Sequence, residues 1–272
     1  MLPVRAVADH LRLPRAHHRI SPPARHDPCG FRCPAIVQRH PYRRITITDE
    51  HADLEGSGVP DEIYRRRFPE GDHREKLALW RVLAPYLDRL IPPGPVLDIA
   101  CDRGYFIANV ARTERWATDL RDTAGDLPPD VRFVRANGLE LAGVLPAGHF
   151  AGVFMSNYLE HLATSSEVLR QLEVARALLR PNGVVVLQPN IRLVGGAYWD
   201  FIDHHVALTE RSLAEAAELA GLRTIEVRTR FLPYSTKSRL PKHPALVRAY
   251  LAFPPAWRLL GKQTLYIGER PG

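Results

Sequence analysis

The sequence predicts an α/β fold built on a doubly wound, mostly parallel sheet of seven strands whose last strand is antiparallel. Short apolar segments, typical of buried strands, alternate along the chain with segments in which apolar residues recur every three or four positions, as on one face of a helix. Turns rich in glycine, proline and asparagine separate the two kinds of segment. This alternation favours parallel strands joined by helices that cover both faces of the sheet.

Each predicted strand is a short segment of mainly apolar or β-branched residues, which favour extended backbone. The seven strands are Val96–Ala100, Arg115–Asp119, Val131–Arg135, Ala151–Ser156, Val184–Leu187, Arg223–Phe231 and Gln263–Gly268. The last two strands are separated by residues 233–262, which we interpret as a helical insert.

Five helices are predicted before and between these strands. They are Arg74–Leu90, Gly104–Arg112, Ser165–Leu179, Glu210–Ala220 and Ala245–Leu260. In the third helix, Val168, Leu172 and Ala175 fall on one apolar face. We expect Thr209 to cap the fourth helix through its hydroxyl oxygen and Gly221 to end it.

Positive charge is concentrated at the start of the chain. Residues 1–48 hold nine arginines, no lysine and two acidic residues, and their formal charge of +7 equals that of all 272 residues. The segment is also rich in proline and has no apolar periodicity, so we expect residues 1–60 to be a disordered basic extension and residues 61–272 to form the folded domain. A nucleic-acid-binding tail, a targeting segment or sequence ahead of the true start are alternative interpretations.

Several classes of protein fit the sequence poorly. The chain has no run of 18 apolar residues, so no transmembrane helix is expected, and it has no secretory apolar segment at its N-terminus, so we expect a cytoplasmic protein. Three cysteines do not make a disulfide framework. Cys29 and Cys33 match no standard zinc-finger spacing, and we expect no bound metal.

One strand-turn-helix segment, Pro95–Phe106, suggests a ligand site. Asp98 lies near the end of the predicted strand, and Gly104 in the turn lets backbone N–H groups approach a ligand closely. Asp119 ends the next strand, where a carboxylate can accept hydrogen bonds from ribose hydroxyls. These features predict a nucleoside-containing cofactor. Neither the G-x-G-x-x-G motif of dinucleotide-binding proteins nor a P-loop is present.

The residues from Asp98 to Gly104, DIACDRG, resemble the D-x-G-x-G-x-G first motif of the Rossmann-like class I S-adenosylmethionine (SAM)-dependent methyltransferases. Ala100 and Asp102 stand where the first two glycines are usual. Aspartate reaches the left-handed backbone region more readily than most residues, so the turn can still form. The resemblance extends from about Arg74 to Arg270.

Further segments resemble motifs of the same family in the same order, namely FVRANGLEL, SNYLEHL, LLRPNGVVVLQPN and YWDFIDHHVALTERSLAEAAELAGL. The resemblance implies that SAM is the cofactor. The cofactor contacts that it implies are Asp98, Ala100, Cys101, Asp102, Gly104, Phe106, Asp119, Asn137, Gly138 and Asn157. Cys101 is expected to be a small packing residue rather than a nucleophile.

The resemblance also implies methyl transfer to a small-molecule acceptor, at an oxygen atom in our interpretation. An acceptor hydroxyl needs a base for its proton, and His161, His204 and His205 are the candidates, with Asp203 orienting His204 or His205. Structural hydrogen bonds or solvent exposure are the alternatives for these histidines. Tyr198 and Trp199 are expected either to line an acceptor pocket or to pack internally.

A metal site is considered at the Glu160–His161 pair. Some ubiquinone-pathway O-methyltransferases carry a second glutamate three residues earlier and hold a divalent cation with these groups. Here Asn157 replaces that glutamate, so one carboxylate is lost and no metal is expected.

Three other functions stay open. RNA methylation is disfavoured because Ser156–Leu159 lacks the paired prolines of base-amino methyltransferases and residues 49–272 carry no net charge. Peripheral membrane contact through the basic and aromatic residues 230–262 is another hypothesis. The third is a degenerate SAM-binding protein without catalysis, suggested by Asp102 and the missing glycines.

Overall fold

The computed structural model describes residues 70–188, 192–233 and 243–272; the predicted extension at 1–60 and the pair Cys29 and Cys33 lie outside these ranges. The strands are β1 (Val96–Ile99), β2 (Arg115–Asp119), β3 (Val131–Arg135), β4 (Phe150–Ser156), β5 (Leu179–Gln188), β6 (Arg223–Leu232) and β7 (Gln263–Glu269). The α-helices are α1 (Glu70–Asp88), α2 (Leu141–Val144), α3 (Ser165–Leu178), α4 (Glu210–Leu219), α5 (Pro244–Ala252) and α6 (Pro254–Leu260).

All seven strands form one sheet in the order β3-β2-β1-β4-β5-β7-β6. Strands β1 to β5 pair in parallel, and β7 runs antiparallel to both of its neighbours, β5 and β6. The predicted fold class is confirmed, including the antiparallel last strand. Because the order reverses between β1 and β4, the carboxyl ends of these strands border a crevice where ligands bind in open α/β sheets.

Two apolar layers hold helices on opposite faces of the sheet. Side chains of α3 and α4 fill one layer, and side chains of α1 and α5 fill the other. Strand β1 contributes to both, because successive side chains of a strand point to opposite faces: Leu97 and Ile99 face the first layer and Val96 faces the second. Asp98 therefore shares the α1 side of the sheet with Val96.

The predicted helix Gly104–Arg112 is wrong. Only a short 3₁₀ turn, Ile107–Asn109, forms there, and Val110 is extended with φ −101° and ψ 142°. Gly104 has a φ of +69°, which a right-handed helix does not allow, and a side chain at this position would collide with Leu127. The segment that was expected to be a helix instead forms a compact turn that buries Phe106 and Ile107.

Arg112 explains why the chain leaves this turn extended. Its guanidinium donates to the Asp88 carboxylate at 2.7 Å and to the carbonyl oxygens of Pro92, Asp88 and Ile91 at 2.7, 2.8 and 2.9 Å. These carbonyls belong to the end of α1 and the turn after it, where the regular helical hydrogen bonds end. Arg112 thus fastens the end of α1 to the segment entering β2.

The predicted helix Ala245–Leu260 is two helices, α5 and α6, which meet at Phe253. Pro254 begins α6, because proline has no N–H to continue α5 and its fixed φ suits a first helical position. The rest of the predicted insert, residues 234–242, lies outside the described residues. In the part of the chain that the structure describes, no helix is both long and apolar enough to span a bilayer.

Candidate functional site

The loop after β1 keeps the backbone of a glycine-rich turn although only one glycine is present. Ala100, Asp102 and Gly104 all have positive φ, at 55°, 54° and 69°. Left-handed backbone costs a residue with a Cβ about 1–2 kcal/mol. Every second residue from Ala100 to Gly104 therefore has the positive φ that glycine adopts without this cost. This agrees with the glycine pattern of the motif that the loop resembles.

Asp98 lies at the base of this loop and is 3% exposed. Burial raises the pKa of its carboxyl well above the ordinary 3.8, the backbone N–H of Ile107 opposes that rise, and the negative charges of Asp119 and Asp102 add to it. Asp98 is thus a buried acid beside two other carboxyl groups. A cationic ligand group would be stabilised in this environment.

Asp119, at the end of β2, is tied to the same loop. Its Oδ2 accepts the backbone N–H of Asp102 at 2.9 Å, and its Oδ1 accepts the backbone N–H of Arg121 at 2.9 Å. Burial raises the pKa of Asp119, although the charge of Arg121 lowers it. The structure brings Asp98, Asp102 and Asp119 together at the carboxyl edge of β1 and β2, as the sequence predicted.

Arg121 belongs to this site and was not predicted. Its guanidinium lies 3.0 Å from Oδ1 of Asp102 and 3.4 Å from Oδ1 of Asp119, so one cation bridges two carboxylates. The available signal was an aspartate at a usual glycine position together with an arginine two residues after Asp119. Arg121 compensates the charge that Asp102 adds to the loop.

Leu120 is a second residue of this edge that sequence reasoning missed. It follows Asp119 directly and is 51% exposed. Its position immediately after the end of β2 was the available signal. An exposed leucine beside a carboxylate offers an apolar surface next to a hydrogen-bond acceptor.

Two predicted cofactor contacts lie in the core instead. Phe106 is 2% exposed and stacks on Phe154 with 3.9 Å between ring centroids, so its side chain packs between α1 and the sheet and does not reach the ligand edge. Cys101 is also buried. Burial, followed by the charges of Asp98 and Asp119, raises the pKa of its thiol strongly, so the thiol stays protonated and Cys101 is an inert packing residue.

Asn137 and Gly138 follow β3 at the same edge. The Asn137 side-chain oxygen accepts the backbone N–H of Leu139 at 3.0 Å and so caps a short turn. Gly138 is buried beneath Tyr158 and Gln171, and a side chain at this position would collide with both. The Tyr158 hydroxyl donates to Gln171 Oε1 at 2.9 Å. Packing by this pair is therefore a sufficient reason for glycine at 138.

Asn157, at the end of β4, has a left-handed φ of 49°. Its oxygen accepts Gln263 Nε2 at 3.1 Å, and its nitrogen donates to Ser156 Oγ at 3.2 Å. The amide oxygen therefore joins the end of β4 to the start of β7.

A second group of side chains lies beyond β4. Glu160, His161 and His204 each offer one ligand atom, and these atoms lie within 4.8 Å of one another. Glu160 is fully buried, and the rings of His161 and His204 are 4.9 Å apart. His204 comes from the segment after β5, so the fold joins residues more than 40 positions apart.

Asp203 contacts His161, a pairing that the sequence did not predict; its predicted role in orienting His204 or His205 stays a prediction. Nδ1 of His161 is 2.9 Å from the Asp203 carbonyl oxygen and 3.3 Å from Oδ2 of its carboxylate. Both partners are acceptors, so Nδ1 carries the proton and Nε2 bears the lone pair. Burial acts to lower the pKa of His161, but the hydrogen bond that His161 donates to Asp203 and the charge of Glu160 outweigh it, and the pKa is raised.

The backbone of the segment after β5 is fixed to Glu160. The Glu160 carbonyl oxygen accepts the N–H groups of His205 and Val206 at 2.8 and 3.2 Å. The side chain of His205 is exposed, so it does not join the cluster. Tyr198 is 3% exposed and donates its hydroxyl to the Val206 carbonyl, which makes it a packing residue, whereas Trp199 is 58% exposed.

Several solved structures share this fold at low sequence identity. A SAM-dependent methyltransferase from Thermotoga maritima has a TM-score of 0.56 and 13% identity over 77% of this chain and 98% of its own. One from Archaeoglobus fulgidus has a TM-score of 0.52 and 15% identity over 70% and 94% of the two chains. A geranyl diphosphate methyltransferase in complex with GPP and sinefungin has a TM-score of 0.50 and 18% identity over 69% and 76%.

No curated protein matches the chain significantly. A family model described as a methyltransferase domain matches residues 71–227, which is more than half of the 272 residues. The matched region includes the loop after β1, Asp119 and the group formed by Glu160, His161 and His204. The chain therefore belongs to the methyltransferase-domain family, and it has the class I fold of the SAM-dependent members.

Proposed function

We propose that the protein is a SAM-dependent methyltransferase that methylates a hydroxyl oxygen of a small-molecule acceptor. The observation that carries the proposal is the position of the Asp119 carboxylate, which faces the left-handed loop of residues 100–104 across adjacent parallel strands. A carboxylate suits a ribose diol, and a loop with the backbone of a glycine-rich turn suits close approach of a ligand. When bound, SAM supplies an electrophilic methyl group.

The residues of the loop fit the charges of SAM. The ammonium and sulfonium groups of SAM are positive. The carboxyl groups of Asp98, Asp102 and Asp119 converge at the loop. Arg121 neutralises part of this negative charge and offers a partner to a carboxylate. Leu120 gives the flat apolar face of an adenine a surface beside the ribose position. Asn137 and Gly138 stay proposed contacts at the same edge, as do the backbone of Ala100, Cys101 and Gly104 and the amide of Asn157.

The acceptor is proposed to bind next to the histidines beyond β4 and β5. Nε2 of His161 bears a lone pair, and the raised pKa of this imidazole makes it a better proton acceptor. His204 lies beside it, and His205 is exposed at the rim. Each of the three histidines is a candidate to take the acceptor's proton. Holding the cofactor and the acceptor in line supplies much of the acceleration of a bimolecular displacement.

Cofactor binding is tested by isothermal titration of SAM and S-adenosylhomocysteine (SAH) into wild type, Asp119→Asn and, as a matched control, Asp130→Asn. Asp130 is an exposed aspartate at the other end of the parallel strands, paired with Arg115. We expect binding to wild type and to the control, and a loss of about 10- to 100-fold in Asp119→Asn, the range for one hydrogen bond to a charged group. Absence of binding at millimolar ligand would contradict SAM as the cofactor and would favour a relative whose cofactor site has degenerated.

The acceptor class is tested by measuring SAH release with hydroxylated small molecules and with RNA. We expect turnover with a hydroxyl-bearing compound that falls at least tenfold in His161→Gln. Turnover with RNA alone would replace the small-molecule proposal with the RNA alternative.

A cytoplasmic location and a peripheral membrane contact through residues 230–262 also stay predictions. In the described part of that segment, Leu246, Phe253 and Leu259 are exposed, and Arg258 lies beside Leu259. Sedimentation with anionic vesicles tests the contact, and absence of binding at both low and high salt would contradict it.

A further inference from the structure

We propose that Glu160, His161 and His204 form a binding site for a divalent transition-metal cation. The three side chains come from two segments, the turn after β4 and the segment after β5. Their potential ligand atoms already lie within 4.8 Å of one another. Sequence reasoning had discounted a metal because Asn157 replaces a glutamate. The fold supplies a third ligand from a different segment.

The donor set indicates which cations fit. One carboxylate oxygen and two imidazole nitrogens suit zinc, manganese, iron or cobalt, whereas calcium and magnesium prefer all-oxygen sites. Three protein ligands also leave coordination positions open, as in catalytic sites and unlike closed structural ones. The site is therefore suited to a cation that binds an additional ligand.

Only a small rearrangement is needed to close the ligands around a cation. Ligands about 2.1 Å from a cation are separated from one another by roughly 3–4 Å. The present spread of up to 4.8 Å exceeds this by about 1 Å, which side-chain rotation covers. Glu160 and His204 are both buried, so their side chains are held by packing close to the required positions.

The surroundings of His161 are those of a metal ligand. Ligating histidines usually donate the other ring N–H to a carboxylate or a backbone carbonyl, which fixes the tautomer and the ring orientation. His161 does this with Asp203, through both the carbonyl and the carboxylate. Nε2 is left as the atom with a lone pair for the cation.

The backbone fixes the two segments relative to each other. The Glu160 carbonyl binds the N–H groups of His205 and Val206, immediately after the third ligand, His204. Ligands from distant parts of the chain thus have a fixed relative position before any cation binds.

Binding of the cation does not depend on methyl transfer, but its role at the acceptor rests on the proposed function. A divalent cation with open positions can bind an acceptor oxygen and lower the pKa of its hydroxyl. In that arrangement His161 and His204 hold the cation, and the exposed His205 is the histidine left to receive a proton.

The test is a titration of Co²⁺ into the full-length chain, followed by its visible d–d absorption and by calorimetry. Wild type is compared with His204→Asn and Glu160→Gln, and with His205→Asn as the matched control, because His205 is adjacent but exposed. We expect one Co²⁺ per chain with nitrogen and oxygen ligation in wild type and control. We expect affinity to fall by more than about 100-fold in both ligand variants, and by about 10- to 100-fold in Asp203→Asn.

Binding that is equal in wild type and His204→Asn, or cobalt spectra dominated by thiolate ligation in every variant, would overturn the proposal, as would the absence of Co²⁺ binding. If Glu160→Gln fails to fold, His204→Asn decides the result. SAM affinity measured in the same variants separates the two proposals. Co²⁺ binding without SAM binding would support the metal site and contradict the proposed function.

Discussion

The carboxylate of Asp119 accepts a hydrogen bond of 2.9 Å from the backbone N–H of Asp102, so the end of β2 holds the loop that follows β1. Arg121 reinforces this connection by bridging the carboxylates of the same two residues. The loop therefore carries an additional acidic residue together with the cation that balances it. This compensation allows Asp102 at a position where the resembling motif has glycine.

Arg121→Gln tests whether the Arg121 cation affects the preference of the site for SAM over SAH. SAM carries one more positive charge than SAH, so removing the Arg121 cation should favour SAM. We expect the ratio of the SAH to the SAM dissociation constant to rise about two- to tenfold at low salt, and less at high salt. Titration calorimetry of both ligands measures it. Arg103→Gln is the control, because Arg103 only approaches Asp126 at 4.0 Å; an equal rise in that variant would contradict the assignment to Arg121.

The raised pKa of Asp98 determines the direction in which the stability of the folded protein changes with pH. Burial, with the charges of Asp119 and Asp102, lifts the pKa above 3.8, so the folded state holds this proton more tightly than the unfolded state. The stabilising contribution of Asp98 is complete below pH 3.8 and is lost as pH rises through the folded-state pKa. We expect Asp98→Asn to be more stable than wild type at pH 8 and to lose this advantage toward pH 4, measured by urea unfolding.

Asp130→Asn is the control for that experiment because its shift has the opposite sign. The hydrogen bond from Arg115 lowers the pKa of Asp130, so its small contribution is present at neutral pH and is lost as pH falls. A difference between wild type and Asp98→Asn that does not change with pH would argue against a raised pKa for Asp98.

Ala100→Gly should stabilise the protein. Ala100 has a φ of 55°, and glycine adopts this region without the cost that a Cβ brings. Glycine also gains freedom in the unfolded chain, so we expect a net rise of up to about 1 kcal/mol in the free energy of unfolding. Ala108→Gly, in the nearby 3₁₀ turn, should instead lower it by about 0.5–1 kcal/mol. Loss of stability in both variants would contradict strain at Ala100.

Arg112→Lys should be strongly destabilising although the charge is kept. A lysine ammonium cannot reach Asp88, Ile91 and Pro92 at once, as the planar guanidinium does. We expect a loss of about 2–4 kcal/mol in urea unfolding. Arg132→Lys, which alters a half-exposed pair with Glu114 at 3.0 Å, should change stability by less than about 0.5 kcal/mol. Similar losses in the two variants would mean that Arg112 is an ordinary surface charge.

The strands were predictable because a buried strand appears in the sequence as a short segment of mainly apolar or β-branched residues. Val96–Ala100 was expected and Val96–Ile99 is observed, and Arg115–Asp119 agrees at both ends. The helix at Gly104–Arg112 was wrong because apolar spacing reports which residues are buried but not the sign of φ at Gly104 or the partners of Arg112. Both depend on contacts with distant residues, Leu127 in the first case and the end of α1 in the second.

The acidic residues of the candidate site were predictable for a similar reason. Asp98 lies near the end of β1 and Asp119 ends the adjacent strand β2, so topology alone brings them to the same edge. Which side chain meets which is a different question. Asp203 was expected to orient its sequence neighbours, and its contact with His161 was not foreseen, because the loop geometry after β5 decides where each side chain points. Arg121 was missed because its role depends on the substitution at Asp102.

The segment after β5 is held against Glu160 by two peptide N–H groups and a carbonyl oxygen. Peptide groups are the same whatever side chain a residue carries, so the course of this segment does not depend on the exposed side chains Ile202 and His205. Related chains can therefore change these exposed side chains while inheriting an unchanged backbone course. Under the proposed function, a change of acceptor within such a family then needs substitutions at these exposed positions rather than a redesign of the sheet.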